Sequence, residues 1–206
     1  MNCLTNSAEN KIKEAAIKVF LEKGFDGTTT RDIAKEAGVN SALMNYYFRS
    51  KEKLFSSVFE EKLQQYFSGM IEIFNKPIGM KEKISDLIEN DFQMFKKNPD
   101  LSNFIIHELH RNPDRFFSAI AFDKIVDHSS LSKQLTTSIE NGEVIQIDIK
   151  NVLLLMKSNI QFIFLCKSMT CKMWKMEDES FEEFAEKHKT IVKEMILNYL
   201  FNSSKN

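Results

Sequence analysis

Turn-forming residues are scarce in this chain. Three prolines and six glycines in 206 residues, with no extended alternation of apolar and polar positions, argue against a sheet-rich fold and for a mostly helical one. Cysteine is scarce too. Cys3, Cys166 and Cys171 are odd in number and form no C-x-x-C pair, which argues against a disulfide framework or zinc ribbon and fits a reducing interior. The longest apolar run, Val152 to Cys166, is interrupted by Lys157, Asn159 and Gln161, too short and too polar for a bilayer span. The stretch Met1 to Asn10 lacks the apolar core of a secretion signal, so a cytoplasmic location is expected. A dominant charge is also missing: the net formal charge is −1, so the whole molecule is no general nucleic-acid binder.

What is present is core-forming material. A 43% hydrophobic and 11% aromatic content argues against disorder. Residues 1–55 carry nine Lys/Arg against seven Asp/Glu, a net +2 set against −3 for the remainder. That is a slightly basic head on an acidic body.

The head shows its helices plainly. Ile12, Ala15, Ala16, Val19 and Phe20 follow the i, i+3, i+4, i+7, i+8 stripe of an amphipathic helix, expected over 7–23 and ended by Gly24. Thr29 with Asp32 three residues on resembles a capping box and predicts a second helix, with Ile33, Ala34 and Ala37 inward and Gly38 as its stop. Asn40 can cap a third helix running through Phe48. Ser50 can cap a fourth that carries Leu54, Phe55, Val58, Phe59, Leu63, Phe67 and Met70 inward and ends near Asn75, before Pro77. Beyond it, helices are expected at 81–97, 101–111, 115–126, 130–141, 148–174 and 180–201. Asn98-Pro99, Asn112-Pro113 and Gly142 mark breaks. The expected fold is all-α, a three-helix head over 1–55 and a larger helical body over 56–206.

Two short helices joined by Ala37-Gly38-Val39 form a helix-turn-helix. Small Ala37 and Gly38 should let the helices approach closely while Val39 fills the crevice. Met44 and Phe48, four apart, should seat the third helix, leaving Ser41, Ala42, Asn45 and Tyr46 outward, small or polar enough for a major groove. Thr29 and Thr30 at a helix N-terminus offer hydroxyls and amides to phosphate. Tyr46, Tyr47 and Lys51 cluster near the end of the third helix.

These residues carry a family resemblance. Gly24-Phe25, Thr28-Thr29-Thr30-Arg31-Asp32-Ile33-Ala34, Ala37-Gly38-Val39-Asn40 and Tyr46-Tyr47-Phe48-Arg49-Ser50-Lys51-Glu52-Lys53-Leu54 together resemble the DNA-binding signature of the tetracycline-repressor (TetR) family, over Ile12 to Phe55. The resemblance implies phosphate contacts at Thr29, Tyr46, Tyr47 and Lys51, base-edge contacts from Ser41, Ala42 and Asn45, and Thr30 and Arg31 within the same DNA-contacting set. Two positions depart from the family's habit: Ala42 where glycine is frequent, and Asn45 where tyrosine is frequent. Asn45 removes one phosphate contact, but an Asn can pair with adenine N6 and N7. The resemblance further implies a ligand-responsive repressor, homodimeric on an inverted-repeat operator of double-stranded DNA and released by a small-molecule inducer, with neither cofactor nor enzymatic activity.

For the body, Phe92, Phe95, Ile106, His107, His110, Phe116 and Phe117 are candidate lining for an inducer pocket. Leu153, Met156, Ile160, Ile163 and Phe164, with Phe184, Ile191, Met195 and Leu200, are candidates for a dimer interface on the last two helices. His107-Glu108-Leu109-His110 falls one residue short of the H-E-x-x-H zinc motif, so no metal site is expected. G-x-S-x-G, P-loop and G-x-G-x-x-G motifs are all missing from the sequence.

Overall fold

The computed structural model describes residues 2–97, 102, 105–106 and 122–202. Among them there is no strand, and ten helices are delimited. These are α1 (Asn2–Gly27), α2 (Thr30–Glu36), α3 (Ser41–Tyr47), α4 (Lys51–Asn75), α5 (Met80–Lys97), α6 (Phe122–Asp127), α7 (Ser130–Glu140), α8 (Ile149–Leu165), α9 (Lys167–Trp174) and α10 (Asp178–Asn202). None of these helices alone is long and apolar enough to cross a membrane.

The described residues fall into two compact units that divide within α4, between Tyr66 and Phe67. The first is built around the apolar stripe of α1. Ile12, Ala16, Val19 and Phe20 are buried with Ile33 and Ala34 of α2, Met44 of α3 and Leu54, Phe55, Val58 and Phe59 of α4. Phe55 is the hub: its ring meets Phe20 edge-on at 4.9 Å, Phe25 edge-on at 4.8 Å and Phe59 stacked at 5.6 Å. Such pairs stabilise by about 0.5–1.5 kcal/mol each beyond their buried area. Gly24 sits at φ +70° inside α1 and breaks its helical geometry there, but α1 runs on to Gly27, past the expected end at Lys23. The helix begins at Asn2, five residues before the expected Ser7.

In the second unit α5 packs on α8 and α10, burying Ile84, Leu87, Ile88, Phe92 and Phe95 with Met156, Ile160, Phe164, Val192, Ile196 and Leu200. The end of α4 is fastened from within this unit. Lys83, fully buried, donates to the Phe74 carbonyl at 3.0 Å and to the Ser130 hydroxyl at 2.7 Å, and burial lowers its pKa. The Ser130 amide donates to Asn75 Oδ1 at 3.1 Å.

The stretch expected as one helix over 148–174 is two, α8 and α9, bent by 64°. The bend needs neither glycine nor proline. Cys166 leaves helical geometry (φ −102°, ψ 16°), yet its amide still donates to the Phe162 carbonyl at 2.9 Å and its carbonyl accepts from Thr170 at 2.8 Å. Backbone hydrogen bonding is thus kept on both sides, and no breaker residue betrays the turn. The helices expected at 101–111 and 115–126 lie almost wholly outside the described residues; α6 is the end of the second.

Candidate nucleic-acid interface

The N-terminus of α2 is closed by its own side chains. Thr29 accepts from the Asp32 amide at 3.2 Å, and Asp32 in turn accepts from the Thr29 amide at 3.0 Å and the Thr29 hydroxyl at 2.7 Å. The Thr29 donors, with Lys23 Nζ 3.1 Å away, hold the Asp32 carboxyl down to about 2. A hydroxyl has one proton to give. Thr29 therefore has neither hydroxyl proton nor amide left for a phosphate, and Thr30 and Arg31, the first two residues of α2, are the groups open to one. The first amides of a helix lack intrahelical acceptors.

The turn into α3 is set by backbone conformation. Gly38 lies at φ +65°, and a Cβ placed there would meet nothing within 4 Å. Glycine is needed here for the left-handed conformation, not, as its small size suggested, for close approach of the helices. The Val39 amide donates to the Ala34 carbonyl at 3.0 Å, and Val39 itself is half-buried.

Helix α3 starts where Asn40 Oδ1 accepts from the Leu43 amide at 2.8 Å. Met44 is fully buried and Phe48 only 7% exposed. Ser41, Ala42, Asn45 and Tyr46 are all exposed, Tyr46 at 78%, and Leu43 stands at its margin at 36%. Residues three and four apart share a helix surface, so Ser41, Ala42, Asn45 and Tyr46 form one continuous outward patch. The Tyr46 and Tyr47 rings meet edge-on at 5.3 Å, which orients Tyr46 at the patch's end.

Lys51 is more occupied than its position suggested. Its ammonium donates to the Phe25 carbonyl at 2.9 Å and the Thr28 carbonyl at 3.0 Å, and lies 4.3 Å from the Phe25 ring centre. Two of three protons thus brace the end of α1, and one remains. Exposed Arg49 and Lys53, not singled out from the sequence, stand on either side of Ser50-Lys51-Glu52 and make no ion pair among the described residues. Their place within six residues of Tyr47 was the available signal. By contrast, Lys18 pairs with Glu36 at 2.6 Å.

Comparison with known proteins agrees with this geometry. Residues 12–58 match the family described as bacterial regulatory proteins, tetR family. The biofilm operon icaADBC HTH-type negative transcriptional regulator IcaR of Staphylococcus aureus is 30% identical over 155 residues, 71% of this chain and 78% of that protein. The chain belongs to the TetR family. The fatty acid metabolism regulator protein of Bacillus subtilis is 26% identical to this TetR-family chain over 84% of its length and 86% of the relative's. A TetR family transcription regulator from Marinobacter aquaeolei superposes with a TM-score of 0.69 over 98% of this chain and 99% of that one, at 17% identity, a likeness of fold. The protein is a transcriptional regulator of this family, and its relatives are regulators, not enzymes.

The other candidate residues divide. Phe92 and Phe95 are fully buried and packed on Phe164, at 5.5 and 6.1 Å between ring centres. Ile106 is half-buried and belongs to the first unit. His107, His110, Phe116 and Phe117 lie outside the described residues. Among the described residues no cluster of metal-ligating side chains occurs.

Of the interface candidates, Met156, Ile160, Ile163, Phe164 and Leu200 are buried in the second unit's own core, and Leu153 is half-buried. The five buried side chains are core rather than interface. Ile191 and Met195 are exposed, at 60% and 46%, and Phe184 is half-buried. The exposed apolar residues of α8 are instead Leu154 and Phe162, at 65% and 56%.

Proposed function

We propose that this TetR-family protein is a transcriptional repressor that binds an inverted-repeat operator as a homodimer and leaves it when a small-molecule inducer binds the body. The observation that carries the reading is the division of α3 into a buried side, Met44 and Phe48, and an uncharged outward patch of Ser41, Ala42, Asn45 and Tyr46. An outward patch of small and amide side chains fits a major groove. Thr30, Arg31, Tyr46, Tyr47 and the remaining proton of Lys51 serve phosphates on either side, and such contacts fix register without reading sequence. Arg49 and Lys53 add positive charge at the same edge. Thr29 acts through the cap, ordering the amides beside it.

Two copies are required because one seven-residue helix reads few base pairs. Heads about 34–36 Å apart meet successive major grooves on one side of the duplex. Support for a dimer is the apolar surface of α10: Ile191, Met195 and Tyr199, 60%, 46% and 49% exposed, with Leu154 and Phe162 on α8. The Phe184 ring adjoins both Trp174 and His188, at 6.1 Å each, carrying this surface onto α9. Exposed apolar residues gathered in this way mark an interaction site. Inducer action follows from linkage: a ligand that binds the DNA-incompetent state more tightly shifts the population away from the operator. The setting is the cytoplasm, where the operator is.

Binding of a labelled duplex at 50–200 mM salt tests the reading, with mass by light scattering. The expected results are a dimer and an affinity falling linearly with salt on logarithmic axes, by about 0.9 per phosphate neutralised. Salt-independent binding or a persistent monomer would contradict it.

A further inference from the structure

We infer that α3 reads A·T base pairs, with Asn45 on an adenine and Ala42 on the methyl group of a neighbouring thymine. The inference rests on the DNA-binding reading and names the bases it requires. Every side chain of α3 is uncharged. Guanine presents the N7 and O6 acceptors, which arginine or lysine meets with paired donors, and cytosine presents an amino donor that a carboxylate accepts. The helix offers neither group. Asparagine carries a donor and an acceptor side by side, the complement of adenine N7 and N6.

Asn45 is free to use both. It is exposed and makes no hydrogen bond among the described residues, whereas the other asparagine nearby, Asn40, is engaged with the Leu43 amide at 2.8 Å. Ala42 lies three residues before Asn45, about 5–6 Å away between Cβ atoms on one surface, a spacing suited to an adjoining base pair. Its side chain is a single exposed methyl, which matches the thymine methyl and little else in the groove. The nearest exposed guanidiniums in sequence, Arg49 just past the end of α3 and Arg31 on α2, both lie outside the helix.

The test uses the full-length protein and a random duplex pool. Selected half-sites should hold adjacent A·T pairs at the positions where Asn45→Ala relaxes preference. Replacing the selected thymine by uracil removes the methyl and should weaken binding about four-fold. Replacing the selected adenine by 7-deazaadenine removes N7 and should weaken binding about 5- to 150-fold, and Asn45→Ala should be indifferent to that replacement. G·C pairs at those positions, or full affinity for both modified duplexes, would overturn the base assignment while leaving the regulator reading intact. Failure to bind any duplex at low salt would defeat both.

Discussion

Lys51→Met separates bracing from phosphate contact. The substitution keeps a stem of similar length and removes the ammonium over the Phe25 ring with its two hydrogen bonds to the Phe25 and Thr28 carbonyls. A hydrogen bond from a charged donor contributes about 1.5–3 kcal/mol. Lys51 is half-buried, and the carbonyls it leaves regain partial access to water. The pair is therefore set at about 2–3 kcal/mol. For a chain of this size that is a fall of about 4–12 °C in the melting temperature, read by circular dichroism. The loss is local, so amide exchange should quicken first around Phe25 to Thr30. The salt slope of operator binding should also flatten by about one unit, as the last ammonium proton leaves its phosphate. An unchanged melting temperature would refute the bracing role, and a flattened slope without loss of stability would make Lys51 purely a DNA contact.

Gly38→Ala should destabilise by about 1–2 kcal/mol in urea titrations, because a side chain at φ +65° is strained even in open space; an unchanged midpoint would contradict a backbone origin. Asp91 and Lys157 lie 3.3 Å apart in the second unit. Asp91→Ala should therefore cost about 3–5 kcal/mol, and pairing Asp91→Leu with Lys157→Met should recover most of it. Burial opposes the charge on both members, raising the Asp91 carboxyl and lowering the Lys157 ammonium, against the attraction between them. A carboxyl raised by burial contributes stability that is full at low pH and declines as pH rises, and Asp91→Asn should remove that slope from stability measured at pH 5 and pH 7. Ile191→Glu should yield monomers by light scattering and weaken operator binding; an intact dimer would move the interface away from α10.

The parts of the fold legible in the sequence are those decided within four residues. Thr29, Asn40 and Ser50 each accept from an amide three residues on, and local hydrogen bonding of this kind needs no knowledge of the tertiary neighbours. Met44 and Phe48 were legible as the buried side of α3 because a short helix has one side to hide. The stripes of α8 and α10 were not resolved, because periodicity shows that Met156, Ile160 and Leu200 turn inward without saying whether inward means the core or a partner. The bend at Cys166 left no trace, since it keeps its hydrogen bonds. The bracing role of Lys51 depends on carbonyls 23 and 26 residues away in sequence, beyond any local pattern.

The central claim is that the outward patch of α3 faces base edges. It is tested most directly by measuring Kd for a selected operator and for a scrambled duplex, for the unaltered protein and for Asn45→Ala, at one fixed salt concentration. The account predicts that the variant loses about 1–3 kcal/mol on the operator and little on the scrambled sequence. An equal loss on both, or none on either, would contradict it.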